Sequence, residues 1–187
     1  MTGLTGLMGC HPRPISMMEP ELFREKIKNA ADLASLAEGW RKEGKKIVFT
    51  ADWFDPLHVS HIRHLEKSRT LGDVLIAGIF SENALSDKTA EPPPLIDEDG
   101  RSMIVAAVEC VDFVVTVAIS KLDILFSSLK PDIYATGQRN KGTVNNETLE
   151  ELAAIKAASC GSNLIYTNVE ILTHRELAGM IASRMRP

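Results

Sequence analysis

Cysteine is scarce in this sequence and badly placed for a covalent scaffold. Cys10, Cys110 and Cys160 are odd in number, far apart and form no CxxC pair, which argues against a disulfide framework or a zinc knuckle and suits the reducing cytoplasm. Long apolar runs are lacking too. None approaches the ~18–20 residues of a membrane-spanning helix, so no membrane association is expected. The opening, MTGLTGLMGCHPRP, has neither a basic segment nor a long apolar segment behind it, and is not read as a signal peptide. Gly, Thr and Pro dominate it, so residues 1–18 are expected to form a flexible tail, with Met17 or Met18 an equally good start. An excess of positive charge is also missing. With 21 Lys and Arg against 25 Asp and Glu the net charge is −4, which removes any broad attraction to nucleic acid or anionic membrane but leaves individual basic residues able to meet phosphate. There is no internal repeat and no low-complexity block.

What is present suits one ordinary globular domain. The 187 residues, 44% of them apolar, are enough for a real core, since ~150 residues bury roughly 70% of their unfolded surface. The expected division is a single domain over residues 19–187, with a helical cap at 19–44 and the main body at 45–187. Pro20 suits a first helical position, with Leu22, Phe23 and Ile27 on one side. A second helix is expected from Asp32, with Leu33, Leu36, Ala37 and Trp40 at helical spacing and Gly44 as its stop.

The body opens on KIVFTADWFDPLHVSHIRHLEKSRTL (Lys46–Leu71). Four residues of high β propensity, Ile47–Thr50, give way to a short loop and then to helical spacing at Ile62, Leu65 and Arg69, a switch of period from 2 to 3.6. Further strands are expected at Val74–Phe80, Phe113–Val117, Asp132–Ala135 and Asn163–Tyr166. Helices are expected at Glu98–Glu109, Lys121–Leu129, Glu147–Ser159 and from Thr173 to about Met185. Unalternating apolar runs such as VLIAGIF suit strands covered on both faces. Five strands alternating with helices predict an α/β, Rossmann-like, doubly wound five-stranded parallel sheet with N-terminal helices. The exposed loop Ser81–Pro94 and the polar loop Thr136–Asn146 follow strands, where ligands of open α/β sheets bind.

His58 and His61 stand three apart where the second helix of this unit opens. That spacing puts both imidazoles on one face, beside the main-chain N–H groups and positive dipole end that attract anions. With His64 they also form HxxHxxH, a metal-like spacing, but no carboxylate or cysteine motif accompanies it, and no metal site is assigned. An ordinary structural pair of histidines is the plain alternative.

FDPLHVSH (Phe54–His61) resembles the FDxxHxGH signature of the cytidylyltransferase-like nucleotidyltransferases, the HIGH-type α/β family. LGDVLIAGIFSENA (Leu71–Ala84), GRSMIVAAVECVDFVV (Gly100–Val115) and KPDIYATG (Lys130–Gly137) are similar to that family's later segments, in the same order. The leading helices and GKKIVFT look most like the heptose-phosphate adenylyltransferase branch, next to glycerol-3-phosphate cytidylyltransferase.

The resemblance implies a transferase that moves a nucleoside monophosphate from a nucleoside triphosphate, ATP first, to a phosphorylated small molecule such as a sugar phosphate, releasing pyrophosphate. Mg2+ would enter with the nucleotide, and a homodimer is the default assembly. His58 and His61 would be catalytic, binding phosphates and stabilising charge at the α-phosphorus. Thr50, Ala51, Asp52, Trp53, Phe54, Asp55, Gly137 and Thr173 would line the nucleotide. Arg63, Arg101 and Arg139 would meet substrate phosphate. Asp55 has a simpler reading as the cap of the turn before Pro56, and Arg63 as a solvated charge. Asp73 and Asp112 match motif acids but suit turns.

The pattern breaks in four places. Asp52 replaces a glycine close to the nucleotide phosphates, where a carboxylate repels them, and Trp53 adds bulk beside it. Ser60 replaces the middle glycine of HxGH. TGQRNKG lacks the usual GxD, with Arg139 and Lys141 in its place. ILTHRE keeps only Thr173 of the family's ISTT-like segment, and Thr173 with Glu176 is also a capping box. These departures keep two alternatives open: a non-catalytic nucleotide- or metabolite-binding protein with a degenerate site, and a cytidylyltransferase acting on an alcohol phosphate. A hydrolase using the same phosphate site is a weaker third.

Overall fold

The computed structural model describes residues 23–81, 94–138, 149–170 and 174–184. The expected N-terminal tail, most of the loop Ser81–Pro94, Arg139 and Lys141, and Thr173 lie outside the described residues. Five strands, β1 (Ile47–Asp52), β2 (Val74–Phe80), β3 (Phe113–Val117), β4 (Ile133–Gln138) and β5 (Asn163–Glu170), form one parallel sheet in the order β3-β2-β1-β4-β5. The helices are α1 (Ala30–Lys42), α2 (Val59–Arg69), α3 (Glu98–Ala106), α4 (Leu122–Leu129), α5 (Leu149–Ser159) and α6 (His174–Arg184). Strand order reverses between β1 and β4, so the chain is doubly wound and its switch point lies at the carboxyl ends of those two strands.

Every residue of β1 and β2 is buried, which is what covering both faces of a parallel sheet requires. Successive side chains of a strand point to opposite faces. On one face Ile47, Phe49 and Ala51 pack with Leu33 and Ala37 of α1, Phe126 of α4 and Ala157 of α5. On the other, Val48 packs with Leu65 of α2 and Val105 of α3. Phe49 meets Phe126 edge-on, with ring centres 5.2 Å apart. Gly78 sits where a Cβ would come within 2.8 Å of the Phe49 ring and 2.9 Å of Val117, so its smallness lets the aromatic core close over β2.

Three aspartates set the register at the other end of the sheet. Asp73 accepts the N–H of Lys46 at 2.8 Å, Asp112 that of Leu75 at 2.8 Å, and Asp132 that of Ile47 at 2.7 Å. Each precedes one strand and satisfies the first donor of a neighbour that the ladder alone would leave unpaired. The turn reading of Asp73 and Asp112 is thereby given a definite partner.

The first expected helix differs. Residues Arg24–Lys26 make a single 3-10 turn, and Ile27 then bridges Val114 in parallel, with the Lys28 N–H donating to Val114 O at 2.9 Å. The exposed edge of β3 offers main-chain acceptors that an extended segment satisfies and a helix cannot. Lys26 ties the turn down by donating Nζ to the carbonyls of Val108 and Val111 at 3.2 and 2.7 Å. α1 starts slightly earlier than expected because Asn29 accepts the Asp32 N–H at 2.9 Å as its cap, and Gly44 leaves the helix at φ +72.

Candidate active site

β1 delivers its last residues to the switch point, and the chain turns through Trp53–Leu57 into α2. Thr50 and Asp52 are two apart on the strand, so they share the face that looks at α2. His61 and His64 are three apart on the helix, so they share the face that looks back. Two rungs result. Thr50 Oγ1 lies 2.8 Å from His64 Nε2, and Asp52 Oδ2 lies 3.9 Å from His61 Nε2.

The buried stripe of α2 is His61, His64, Leu65 and Ser68, not the Ile62–Leu65–Arg69 line that apolar spacing suggests. Its polar members are satisfied within the fold. His64 Nδ1 reaches Thr167 Oγ1 of β5 at 2.8 Å, and Ser68 donates to the His64 carbonyl at 2.8 Å. Burial lowers the His64 pKa to about 4, opposed by the nearby Asp52 charge, so this ring is neutral at ordinary pH. It is a structural tie between β1, α2 and β5, and a residue whose role the sequence reading passed over.

His58 is the N-cap of α2 and His61 its third residue. Their rings stack with centres 3.8 Å apart and planes inclined by 26°. The His58 N–H donates to His61 Nδ1 at 3.3 Å. Phe54 closes one side of His61, edge-on at 5.3 Å. Phe54 is buried and holds φ +49, a left-handed conformation that costs a bulky residue about 1–2 kcal/mol. Packing against His61 and the α2-side core keeps it there.

The loop itself is pinned by two buried charged residues. Asp55 accepts the N–H groups of Leu95 and Ile96 at 2.5 and 3.1 Å, tying the turn to the segment that enters α3. Arg101, on α3, is completely buried. Its Nε donates to Ile96 O at 2.9 Å, and Nη1 donates to Trp53 O at 3.0 Å and Phe80 O at 2.9 Å. Its guanidinium stands 5.4 Å from the centre of the Trp53 ring, which in turn meets Phe80 at 5.8 Å. Arg101 therefore joins the end of β1, the end of β2 and the approach to α3.

The remaining expected site residues divide as follows. Ala51 and Trp53 are buried in the core on the α1 face, and Asp52 is buried with its Oδ1 accepting the Trp53 N–H at 2.6 Å. Gly137 lies half-buried in the last turn of β4 beside the switch point. Arg63 is exposed on α2. Among the described residues no group of three His, Cys, Asp or Glu is placed to hold a metal ion, and no helix is long and apolar enough to cross a membrane.

A doubly wound parallel sheet with a stacked histidine pair on its first strand–helix turn belongs to the Rossmann-like class of nucleotide-handling α/β domains. Within that class the chain belongs to the cytidylyltransferase-like family, whose model matches residues 53–183. It is 42% identical over 127 residues to the bifunctional protein HldE of Pelobacter propionicus, which covers 67% of this chain and 26% of that protein. It is 37% identical over 136 residues to the bifunctional protein HldE of Desulfatibacillum aliphaticivorans, covering 72% and 28%. The chain thus spans about a quarter of the length of these curated relatives. Among solved structures, the fold is similar to a lipopolysaccharide core biosynthesis protein from Thermoplasma volcanium, with a TM-score of 0.52, 24% identity, and coverage of 70% of this chain and 99% of that one. It is also similar to a pantoate-beta-alanine ligase from Francisella tularensis complexed with beta-gamma ATP and beta-alanine, with a TM-score of 0.50, 14% identity, and coverage of 79% and 67%.

Proposed function

We propose that the chain transfers a nucleoside monophosphate from a nucleoside triphosphate, ATP first, to a phosphorylated small molecule such as a sugar phosphate, with release of pyrophosphate. The observation that carries this reading is the histidine pair stacked at the start of α2, beside the switch point of the sheet. Family membership supports the reaction class. The likeness to proteins named HldE and to the heptose-phosphate adenylyltransferase branch supports a sugar phosphate acceptor and an adenine donor.

The chemistry needs little from the protein beyond position and hydrogen-bond donors. An acceptor phosphate has a second pKa near 6 and is ionised at neutral pH, so its oxygen attacks the α-phosphorus without a general base. A new P–O bond forms as the bond to the bridging oxygen breaks, and the electron pair leaves on pyrophosphate. Negative charge gathers on the α-phosphate and leaving oxygens, where donors aimed in advance lower the barrier most. His58 and His61 supply those donors in this reading. Mg2+ arrives bound to the triphosphate as part of the substrate and keeps most of its water. Arg63, exposed on α2, is assigned to the acceptor phosphate. Arg101 and Asp55 position the loop through the bonds described above. A homodimer and a cytoplasmic location complete the proposal.

A thermal-shift screen of ATP, CTP, GTP and UTP with Mg2+, followed by pyrophosphate release with sugar phosphates, tests it. At 100-fold over its dissociation constant the right donor stabilises the fold by about 2.7 kcal/mol. His58→Ala and His61→Ala are each expected to lower kcat by roughly 10²–10³-fold. Pyrophosphate release undiminished in both pure variants removes the histidines from the reaction. Absence of any nucleotide-dependent shift in folded protein removes the nucleotide.

A further inference from the structure

The phosphate-site reading leaves one residue unexplained: Asp52, a buried carboxylate at the centre of the place where phosphates are expected. Two donors already converge on it. The Trp53 N–H donates to Oδ1 at 2.6 Å, and His61 Nε2 stands 3.9 Å from Oδ2. The other ring nitrogen fixes the tautomer. His61 Nδ1 accepts the His58 N–H at 3.3 Å, so it carries a lone pair, and the proton of a neutral ring resides on Nε2, on the Asp52 side. A main-chain N–H and an imidazole N–H at a helix start are the donors a phosphate would use.

We infer that Asp52 is a specificity-determining residue: an internal carboxylate standing in the anion cradle, which selects nucleotide complexed with a divalent cation over metal-free polyanions. A metal-free triphosphate must bring several negative charges beside a fixed one, and in a site sheltered from water that repulsion is many times its value in solution. A divalent cation on the ligand removes two of those charges, and it is a hard ion for which a carboxylate oxygen is a preferred neighbour. The inference rests on the nucleotide reading of the site and adds to it which ionic form is admitted. It also gives Asp52 a use where repulsion alone would make the residue a defect.

The test is calorimetric titration of the full chain with three probes: ATP in EDTA, ATP with saturating Mg2+, and inorganic pyrophosphate in EDTA. Wild type is compared with Asp52→Asn, which keeps volume and an acceptor for the Trp53 N–H, and with Asp52→Gly, which empties the position. Circular dichroism melts establish that each variant is folded, and Asp52→Asn decides alone if Asp52→Gly is not. The expected result is that metal-free ATP and pyrophosphate bind the variants about tenfold or more tighter than wild type, while binding of the Mg2+ complex changes by less, so the preference for the complex collapses. If wild type binds the Mg2+ complex and the folded variants bind metal-free ATP no tighter than wild type does, the inference is overturned and the nucleotide reading stands. If no form of ATP binds wild type or variants, both fall.

Discussion

His64 sits between the hydroxyls of Thr50 and Thr167, and burial holds its pKa near 4 against the pull of Asp52. The unfolded chain takes up this proton near pH 6.5, whereas the folded protein resists until about pH 4. Between those values the unfolded state binds more protons, so stability rises with pH and is lost as pH falls through the window. The full effect is on the order of 3 kcal/mol at the acid end, or roughly 6–12 °C in melting temperature for a chain of this size. His64→Gln, which cannot titrate, is expected to be less stable at pH 7 but to lose less between pH 7 and pH 4.5. Melting curves across that range check it, and parallel slopes in the two proteins would refute it. The residue also shows a limit of sequence reading. HxxHxxH presents three equivalent imidazoles, and only the packing of α2 against β1 separates His64, bonded to two threonines, from the stacked pair above it.

Between elements, Arg101 does what no single helix or strand does for itself. Three carbonyls, those of Trp53, Phe80 and Ile96, take its donors. Replacing it by Met keeps bulk and helix propensity but strands those acceptors, at ~1–3 kcal/mol for each one left buried and unpaired. Arg101→Met is therefore expected to lose ~3 kcal/mol or more by urea unfolding, with Arg101→Lys recovering only part because an ammonium lacks the planar fork. A loss below 1 kcal/mol would remove the clamp role. The elements themselves were largely legible. VLIAGIF and IVFT announced buried parallel strands, and each later strand and helix falls within a few residues of its expected place. The turn at Arg24–Lys26 was not legible, because Phe23 and Ile27 satisfy a helical pattern locally while the acceptors that draw the backbone straight lie far along the chain, on β3. Arg101 was legible as a motif residue through the family resemblance, but its carbonyl partners come from three separate segments that no local spacing brings together.

At the scale of the whole molecule, the question is whether residues before β1 are an attachment or part of the body. Leu33 and Ala37 of α1 are completely buried in the same cluster as Phe49, Phe126 and Tyr134, and Trp40 packs on Phe113 at 5.1 Å. Arg41 donates Nη1 to Leu129 O at 2.8 Å, closing the end of α4. Removing such a helix would expose the sheet face that α1, α4 and α5 share, so α1 has no stable state of its own to fray into. Segments that open independently exchange amide hydrogens at low free energy, whereas those in one cooperative unit exchange only through global unfolding. The amides of Leu33–Trp40 are thus expected to be protected within about 1 kcal/mol of those of Val48–Ala51 under native-state hydrogen exchange. Both sets should lose protection together as urea is added. Addition of a bound nucleotide should then raise both by the same amount, since a ligand that holds only the folded state stabilises every amide that exchanges by global unfolding. If α1 exchanges several kcal/mol more easily than β1 and ignores nucleotide, it is a separable cap, and the site at the end of β1 is built by the residues that follow it alone.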